Sequence, residues 1–134
     1  MSAMRISQAL VEEMVSHARA DDPNECCGLV SSRDGEAVQV YRTTNTEASK
    51  FRFVIDPSEQ LRIYNEIENA GLDLGAIYHS HTRSEPYPSQ TDLNFAKDWP
   101  GVLWIIIGLA NGEPEVRTYE IRDGQVAEAD LEIS

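Results

Sequence analysis

The sequence has no long hydrophobic run and very little cysteine, and both shortages restrict the cellular compartments in which the protein is expected. Its longest apolar stretch, VLWIIIGLA at residues 102–110, is too short to span a bilayer. Acidic residues interrupt residues 1–22 before an apolar core of signal-peptide length forms. The two cysteines, Cys26 and Cys27, are adjacent, so a structural disulfide between them is not expected. Reduced thiols and the lack of a targeting segment predict a cytoplasmic protein without a membrane anchor.

Positive charge is also scarce, with 11 lysines and arginines against 23 aspartates and glutamates and a net charge of −12. This balance excludes a nucleic-acid partner, because phosphate binding depends on clustered Lys and Arg side chains. It argues in the same way against an anionic membrane surface. The acidic surface favours solubility or a basic partner. A length of 134 residues predicts one domain that covers residues 1–134.

Turn residues and hydrophobic periodicity predict three helices and seven strands. Ser7 and Asp56 are placed to cap the first two helices, and Pro57 stands in the first turn of the second. The third helix is predicted from Gln90 to about Asp98. The strands are predicted at residues 26–32, 37–45, 51–55, 74–81, 102–109, 115–121 and 126–133. This order predicts an α/β fold, with a mixed β-sheet packed between helices.

The same periodicities also group side chains by the face of the element on which they lie. In the strand at 37–45, alternation places Val38 and Val40 on one face of the sheet. In the second helix, Leu61, Tyr64 and Ile67 are predicted to point inward.

A pair of histidines at the end of an apolar strand is the first candidate for chemistry. His79 and His81 are two residues apart, and side chains at that spacing point to the same face of a strand. Zinc accepts histidine nitrogen and carboxylate oxygen at about 2.0–2.2 Å. Asp92, at the start of the next predicted helix, is placed to supply a third ligand. Three protein ligands leave a fourth tetrahedral position open to water, as in catalytic zinc sites.

Other interpretations of these residues remain open on the pattern alone. Most H-x-H pairs are surface or core histidines that bind no metal. Ser89 and Asp92 also have the spacing of an N-terminal helix cap, which accounts for both without a metal ion. Glu85, in the loop between the histidines and the helix, is either a rival ligand or a solvated side chain.

The spacing of these residues resembles the signature of the JAMM (MPN+) metalloproteases. That signature has an upstream Glu, then H-[ST]-H, seven residues, Ser, two residues and Asp. Here His79-Ser80-His81 is followed by TRSEPYP, then by Ser89, two residues and Asp92. Upstream, NECCGLV supplies Glu25 in a context similar to the family's E-x-C-G-L. The predicted order of elements is also similar to the family's MPN/JAB sandwich, which is related to the cytidine-deaminase fold.

The resemblance implies a role for each matched residue in a zinc-dependent peptidase. His79, His81 and Asp92 are implied to bind one Zn²⁺ per chain. Glu25 is implied to be the general base that holds a water molecule and moves its proton. Ser89 is implied to stabilise the oxyanion formed during amide hydrolysis.

The substrate is implied by which members of the family the chain is similar to. No long insertion follows the first helix and strand or residues 102–110, in contrast to the deubiquitinases of the family. The chain looks more like the small bacterial Mec-type members, which act on ubiquitin-like sulfur-carrier proteins. Those enzymes release cysteine or a short extension from a diglycine tail. A tail of this kind commonly adds as a strand to a sheet edge, here in a groove between Lys50–Phe53 and Thr82–Pro88.

There are three alternatives to this function. One is a deubiquitinase-like isopeptidase that acts on another ubiquitin-like modifier. The second is a non-catalytic MPN-type scaffold. The third is a different zinc hydrolase such as a nucleoside-type deaminase, which requires a P-C-x-x-C motif that the sequence lacks. The oligomeric state is left open, a homodimer included.

Overall fold

The computed structural model describes residues 2–134 and shows three helices and seven strands. In chain order the elements are β1 (Ser2–Ile6), α1 (Gln8–Asp21), β2 (Cys27–Arg33), β3 (Glu36–Thr43), α2 (Pro57–Asn69), β4 (Asp73–His81), α3 (Gln90–Ala96), β5 (Leu103–Gly108), β6 (Glu115–Arg122) and β7 (Gln125–Ile133). None of the helices within residues 2–134 is long and apolar enough to cross a membrane.

The strands form one mixed sheet that closes on itself in the order β1-β3-β2-β4-β5-β6-β7. β1 closes it, because this strand pairs in parallel with both β3 and β7. The predicted α/β fold with a mixed sheet is confirmed. The closing strand was not predicted, because only Met4 and Ile6 carry its apolar alternation, which is too short a pattern to separate from the approach to α1.

β4 lies between β2 and β5 and divides the core into two parts. Tyr78 faces the cluster that packs against α1, together with Met14. Ile77 faces the other cluster, which packs against α2 and α3 and includes Trp104. Because alternate residues of a strand point to opposite faces, His79 shares the α2 and α3 side with Ile77.

The segment at residues 51–55, predicted as a strand, is instead irregular and joins the sheet region only through an isolated bridge between Asn45 and Ile55. Its alternation of apolar residues is real, and Phe53 and Ile55 are buried. However, the Phe51 and Val54 backbone N–H groups donate to side chains of the same loop and not to a neighbouring strand. Side-chain acceptors have replaced the ladder that a strand requires.

Two of the predicted faces are only partly right: Val40 and Ile67 are buried, but other members of each face are exposed. Val38 is 45% exposed because β3 has an extra residue there: Ser31 pairs with Gln39 and Ser32 with Ala37. Such a bulge interrupts the alternation.

In α2, Ile63 and Ile67 are buried, whereas Leu61 and Tyr64 are 63% and 38% exposed. Residues four apart lie nearly above one another on a helix, so the Ile63–Ile67 row forms the packed face. The row of residues three apart, from Leu61 through Tyr64, turns progressively away from it.

Candidate active site

Three side chains from β4 and α3 meet around one point. The Nε2 atoms of His79 and His81 are 3.2 Å apart, and the Asp92 Oδ2 atom lies 3.1 Å from the first and 3.3 Å from the second. With bonds of about 2.0–2.1 Å, two ligands of a tetrahedral zinc ion stand about 3.3–3.4 Å apart. The three atoms therefore have nearly the separations of one face of a zinc tetrahedron, and the donor set of two imidazoles and a carboxylate suits that ion.

The start of α3 places the carboxylate at this point. Ser89 is the N-cap of the helix: its Oγ accepts a hydrogen bond from the Asp92 N–H, while the Ser89 N–H donates to Asp92 Oδ2. This reciprocal capping box orients Asp92 with one carboxylate oxygen toward the histidines. The helix cap and the metal-ligand arrangement therefore share Asp92 and do not exclude each other.

The electrostatics of this cluster favour a charged carboxylate. Burial pushes the pKa of Asp92 upward, but His79, His81 and the Ser89 N–H outweigh it and hold that pKa well below its usual range. Burial acts in the opposite direction on His81 and lowers its pKa, but hydrogen bonds to Asp92 and to the Glu85 carbonyl leave that pKa raised. A metal ion that binds here has to displace the proton that His81 favours, so binding is expected to be pH-dependent.

The two histidine rings are held by different means. His81 Nδ1 is 2.8 Å from the Glu85 carbonyl oxygen, and donation to that oxygen directs the lone pair of Nε2 into the cluster. The His79 ring stacks on Phe53, with centroids 4.5 Å apart and planes at 27°. Its Nδ1 has no hydrogen-bond partner among residues 2–134, so packing positions this ring.

Glu85 takes part through its backbone and not as the rival ligand that the loop sequence allowed. Its side chain is exposed, and only its carbonyl oxygen contacts the cluster. Sequence reasoning missed Phe53 as a partner of His79, because it assigned that segment to a regular strand.

Glu25, just before β2, brings a second carboxylate to the histidines. One of its carboxylate oxygens and one nitrogen each of His79 and His81 lie within 4.8 Å of one another, and all three residues are buried. Burial raises the pKa of Glu25 to about 7, with His81 lowering it and Asp92 raising it further. A carboxyl group that titrates near neutral pH is suited to accept and return a proton.

Antiparallel pairing of β2 with β4 brings Glu25 to this place. Cys27 pairs with His79, and the chain segment before it runs past the end of β4. The Cys26 N–H donates to Ser80 Oγ at 2.8 Å, and Thr82 Oγ1 donates to the Pro23 carbonyl at 2.9 Å. Ser80, the middle residue of the H-S-H motif, thus binds the segment that carries Glu25. The spacing of the motif does not reveal this contact.

The chain is similar to known proteins in both sequence and fold. A family model described as prokaryotic homologs of the JAB domain matches residues 7–122. The chain is 35% identical over 127 residues to the CysO-cysteine peptidase of Mycobacterium tuberculosis, covering 92% of this chain and 86% of that protein. It is 36% identical over 115 residues to the desampylase of Haloferax volcanii, covering 79% and 82%. The solution structure of a Desulfitobacterium hafniense protein matches with a TM-score of 0.87 at 32% identity, covering 98% and 92%.

Proposed function

The chain belongs to the family of prokaryotic homologs of the JAB domain, and from that membership we propose that it hydrolyses an amide bond at the diglycine tail of a ubiquitin-like sulfur-carrier protein. The membership confirms the resemblance to JAMM metalloproteases and the assignment as a metallopeptidase. The released group is cysteine or a short C-terminal extension. The observation that carries the proposal is the convergence of two imidazoles and two carboxylates in one buried cluster.

The metal in this proposal is zinc, one ion per chain, with His79, His81 and Asp92 as its ligands. The separations of the three donor atoms support that choice. Bound there, zinc supplies a Lewis acid for the scissile carbonyl and lowers the pKa of a water molecule.

The remaining steps belong to side chains of the protein. Glu25 accepts the proton of the attacking water and returns it to the departing amine, a use supported by its carboxylate lying within 4.8 Å of a nitrogen of each histidine. Ser89 donates its hydroxyl hydrogen to the developing oxyanion. Its Oγ accepts from the Asp92 N–H, so the hydroxyl hydrogen itself stays available for that donation.

A covalent cysteine intermediate does not fit the site. Cys26 and Cys27 are both fully buried, and burial raises the pKa of each thiol to about 12. A thiol is nucleophilic as its thiolate, which is scarce at neutral pH when the pKa is that high. Water is therefore the nucleophile in this proposal.

The tail is proposed to lie extended in a groove between Lys50–Phe53 and Thr82–Pro88. The first segment contacts His79 through the Phe53 ring, and the second receives the hydrogen bond of His81 at a backbone carbonyl. Strand addition of the tail to a sheet edge, expected from the sequence, stays a prediction.

Relatives support two kinds of conjugate. The name of the M. tuberculosis relative, CysO-cysteine peptidase, supports cysteine as the released residue. The name of the H. volcanii relative, desampylase, favours a second candidate, an isopeptidase for another ubiquitin-like modifier.

Mass spectrometry of carrier conjugates tests the proposal. A diglycine-tailed carrier with a C-terminal cysteine and the same carrier joined to a lysine side chain are each incubated with zinc-loaded and with chelated protein. We expect zinc-dependent loss of cysteine from the first conjugate. Cleavage of the lysine conjugate alone would favour the isopeptidase, and no cleavage of either would overturn the proposal.

A further inference from the structure

The loop between β3 and α2 closes around one buried amide side chain. Asn45 is 8% exposed. Its Nδ2 donates to the carbonyl oxygens of Glu25 and Arg52, each at 3.0 Å. Its Oδ1 accepts from the backbone N–H groups of Glu47 at 3.1 Å and Val54 at 3.0 Å. All four hydrogen bonds are made with main-chain groups. The Asn45 side chain therefore joins the two ends of the loop, as hydrogen bonds to a neighbouring strand would.

One of these contacts crosses from the loop to the residue proposed as the general base. Asn45 holds the Glu25 carbonyl, and the Glu25 N–H donates to the Ser49 carbonyl of the same loop at 2.7 Å. Both backbone polar groups of Glu25 are thus bound to the loop. The loop also carries Phe53, whose ring stacks on His79. A single segment therefore sets the distance between the Glu25 backbone and a proposed zinc ligand.

We propose that Asn45 is a positioning residue that holds the Glu25 carboxylate at its working distance from the metal ligands. The inference rests on the proposed function, since it assumes that Glu25 moves the proton. Proton transfer is sensitive to geometry, and a misplacement of about 1 Å can reduce a rate about 100-fold. The backbone of Glu25 precedes β2 and lies outside the strand ladder, so side-chain and loop contacts replace strand pairing there.

The residue type matches this task. An amide presents two donor hydrogens on one side and an acceptor with two lone pairs on the other, and Asn45 uses all four positions. Aspartate has the same shape but, when ionised, no donor. In Asn45→Asp, a carboxylate oxygen would face the Glu25 and Arg52 carbonyl oxygens without a hydrogen between them. That substitution therefore breaks the contact to Glu25 while it preserves side-chain volume.

Steady-state kinetics on the carrier–cysteine conjugate test the inference with zinc-loaded protein. For Asn45→Asp we expect kcat to fall about 10- to 100-fold, KM to change less than about twofold, and zinc content to stay as in the parent protein. The visible spectrum of the cobalt-substituted variant should match that of the parent, because the ligands do not move. Tyr41→Phe is the matched control: it removes a buried hydrogen bond to Ser31 elsewhere in the core and should leave kcat unchanged.

A double variant separates positioning from general damage. If Asn45 acts through Glu25, then adding Asn45→Asp to Glu25→Gln should lower kcat almost no further, because effects on a shared group are not additive. The inference would be overturned if the kcat losses of the two single variants multiply in the double variant. It would also be overturned if Asn45→Asp loses zinc or has an altered cobalt spectrum, or if Tyr41→Phe shows an equal fall in kcat. If Glu25→Gln retains full activity, the proposed general base is wrong. If Glu25→Gln is impaired and Asn45→Asp is fully active, the inference about Asn45 alone is wrong.

Discussion

The two faces of β4 each bury a histidine beside a carboxylate, and only one of them has the geometry of a metal site. On the α1 face, His17 Nδ1 lies 2.7 Å from the Tyr78 hydroxyl and Nε2 lies 3.4 Å from Asp21 Oδ2. Both ring nitrogens are occupied, by partners on opposite sides. On the α2 and α3 face, the Nε2 atoms of His79 and His81 approach the same carboxylate oxygen. Convergence of lone pairs, and not burial of a histidine–carboxylate pair, marks the candidate site.

The titration behaviour of the two faces differs in the same way. Burial lowers the pKa of His17, and this outweighs the opposing effect of Asp21. At His81 the balance is the opposite: the hydrogen-bond partners outweigh burial, and the pKa is raised. The first histidine is a neutral member of a packed core, whereas the second lies in a cluster that favours a bound cation, whether a proton or a metal ion.

Removing a convergent histidine should have the largest effect. We expect His81→Ala to lose stoichiometric zinc, because the two remaining ligands cannot hold the ion as three do. Hydrolysis should fall by more than the about 10²- to 10⁴-fold that a proton-transfer group supplies. Zinc content by atomic absorption and conjugate cleavage are the measurements. If His81→Ala still binds one zinc per chain, the contrast between the two faces is wrong.

Glu25→Gln should come next and should separate metal binding from chemistry. The amide keeps the volume of the side chain but cannot accept the proton, so hydrolysis should fall about 10²- to 10⁴-fold. Zinc content should match that of the unmodified protein, since Glu25 is not among the proposed ligands. A variant that loses zinc would assign Glu25 to the ligand set instead.

Two helix caps allow the oxyanion role of Ser89 to be separated from its structural role. Ser89→Ala removes the cap of α3 and the proposed oxyanion donor, and kcat should fall about 10²- to 10³-fold. Ser7→Ala removes the cap of α1, whose Oγ accepts from the Leu10 N–H, and should cost about 0.5–2 kcal/mol of stability with kcat unchanged. Zinc content separates the two roles of Ser89, because its cap orients the proposed ligand Asp92 whereas Ser7 caps a helix without one. Loss of zinc together with kcat in Ser89→Ala would assign Ser89 to holding Asp92 and not to the oxyanion.

The smallest effect on activity is expected on the α1 face. Tyr78→Phe leaves the buried His17 Nδ1 without its partner, so the free energy of unfolding should fall by about 1–3 kcal/mol. Urea unfolding measures that loss. Zinc content and kcat should be unchanged, although Tyr78 adjoins His79 in the chain. A tenfold loss of kcat in this variant would show that the two faces are coupled through β4.

Prediction from sequence succeeded where the pattern is local. Asp56 caps α2 as expected, accepting from the Ser58 and Glu59 N–H groups, because a cap depends only on residues within one turn. The predicted strand at residues 51–55 is wrong because its alternation cannot reveal that Asn45 takes over the backbone hydrogen bonds of Val54 and Arg52. Leu61 is predicted to point inward but is exposed, because helical period alone does not tell which of two rows of apolar residues meets the sheet.

The sequence by itself determined the donor set of the candidate site and its local arrangement. Two histidines at strand spacing and an S-x-x-D at a helix start have geometries that covalent connectivity and one turn of helix nearly define. Only the tertiary structure decided that Glu25 approaches those histidines, since that depends on the antiparallel register of Cys27 against His79. Sheet closure by β1, the Phe53 stack on His79 and the Asn45 hydrogen bonds depend in the same way on segments far apart in the chain. Their distances follow from packing of the whole domain, which no local pattern encodes.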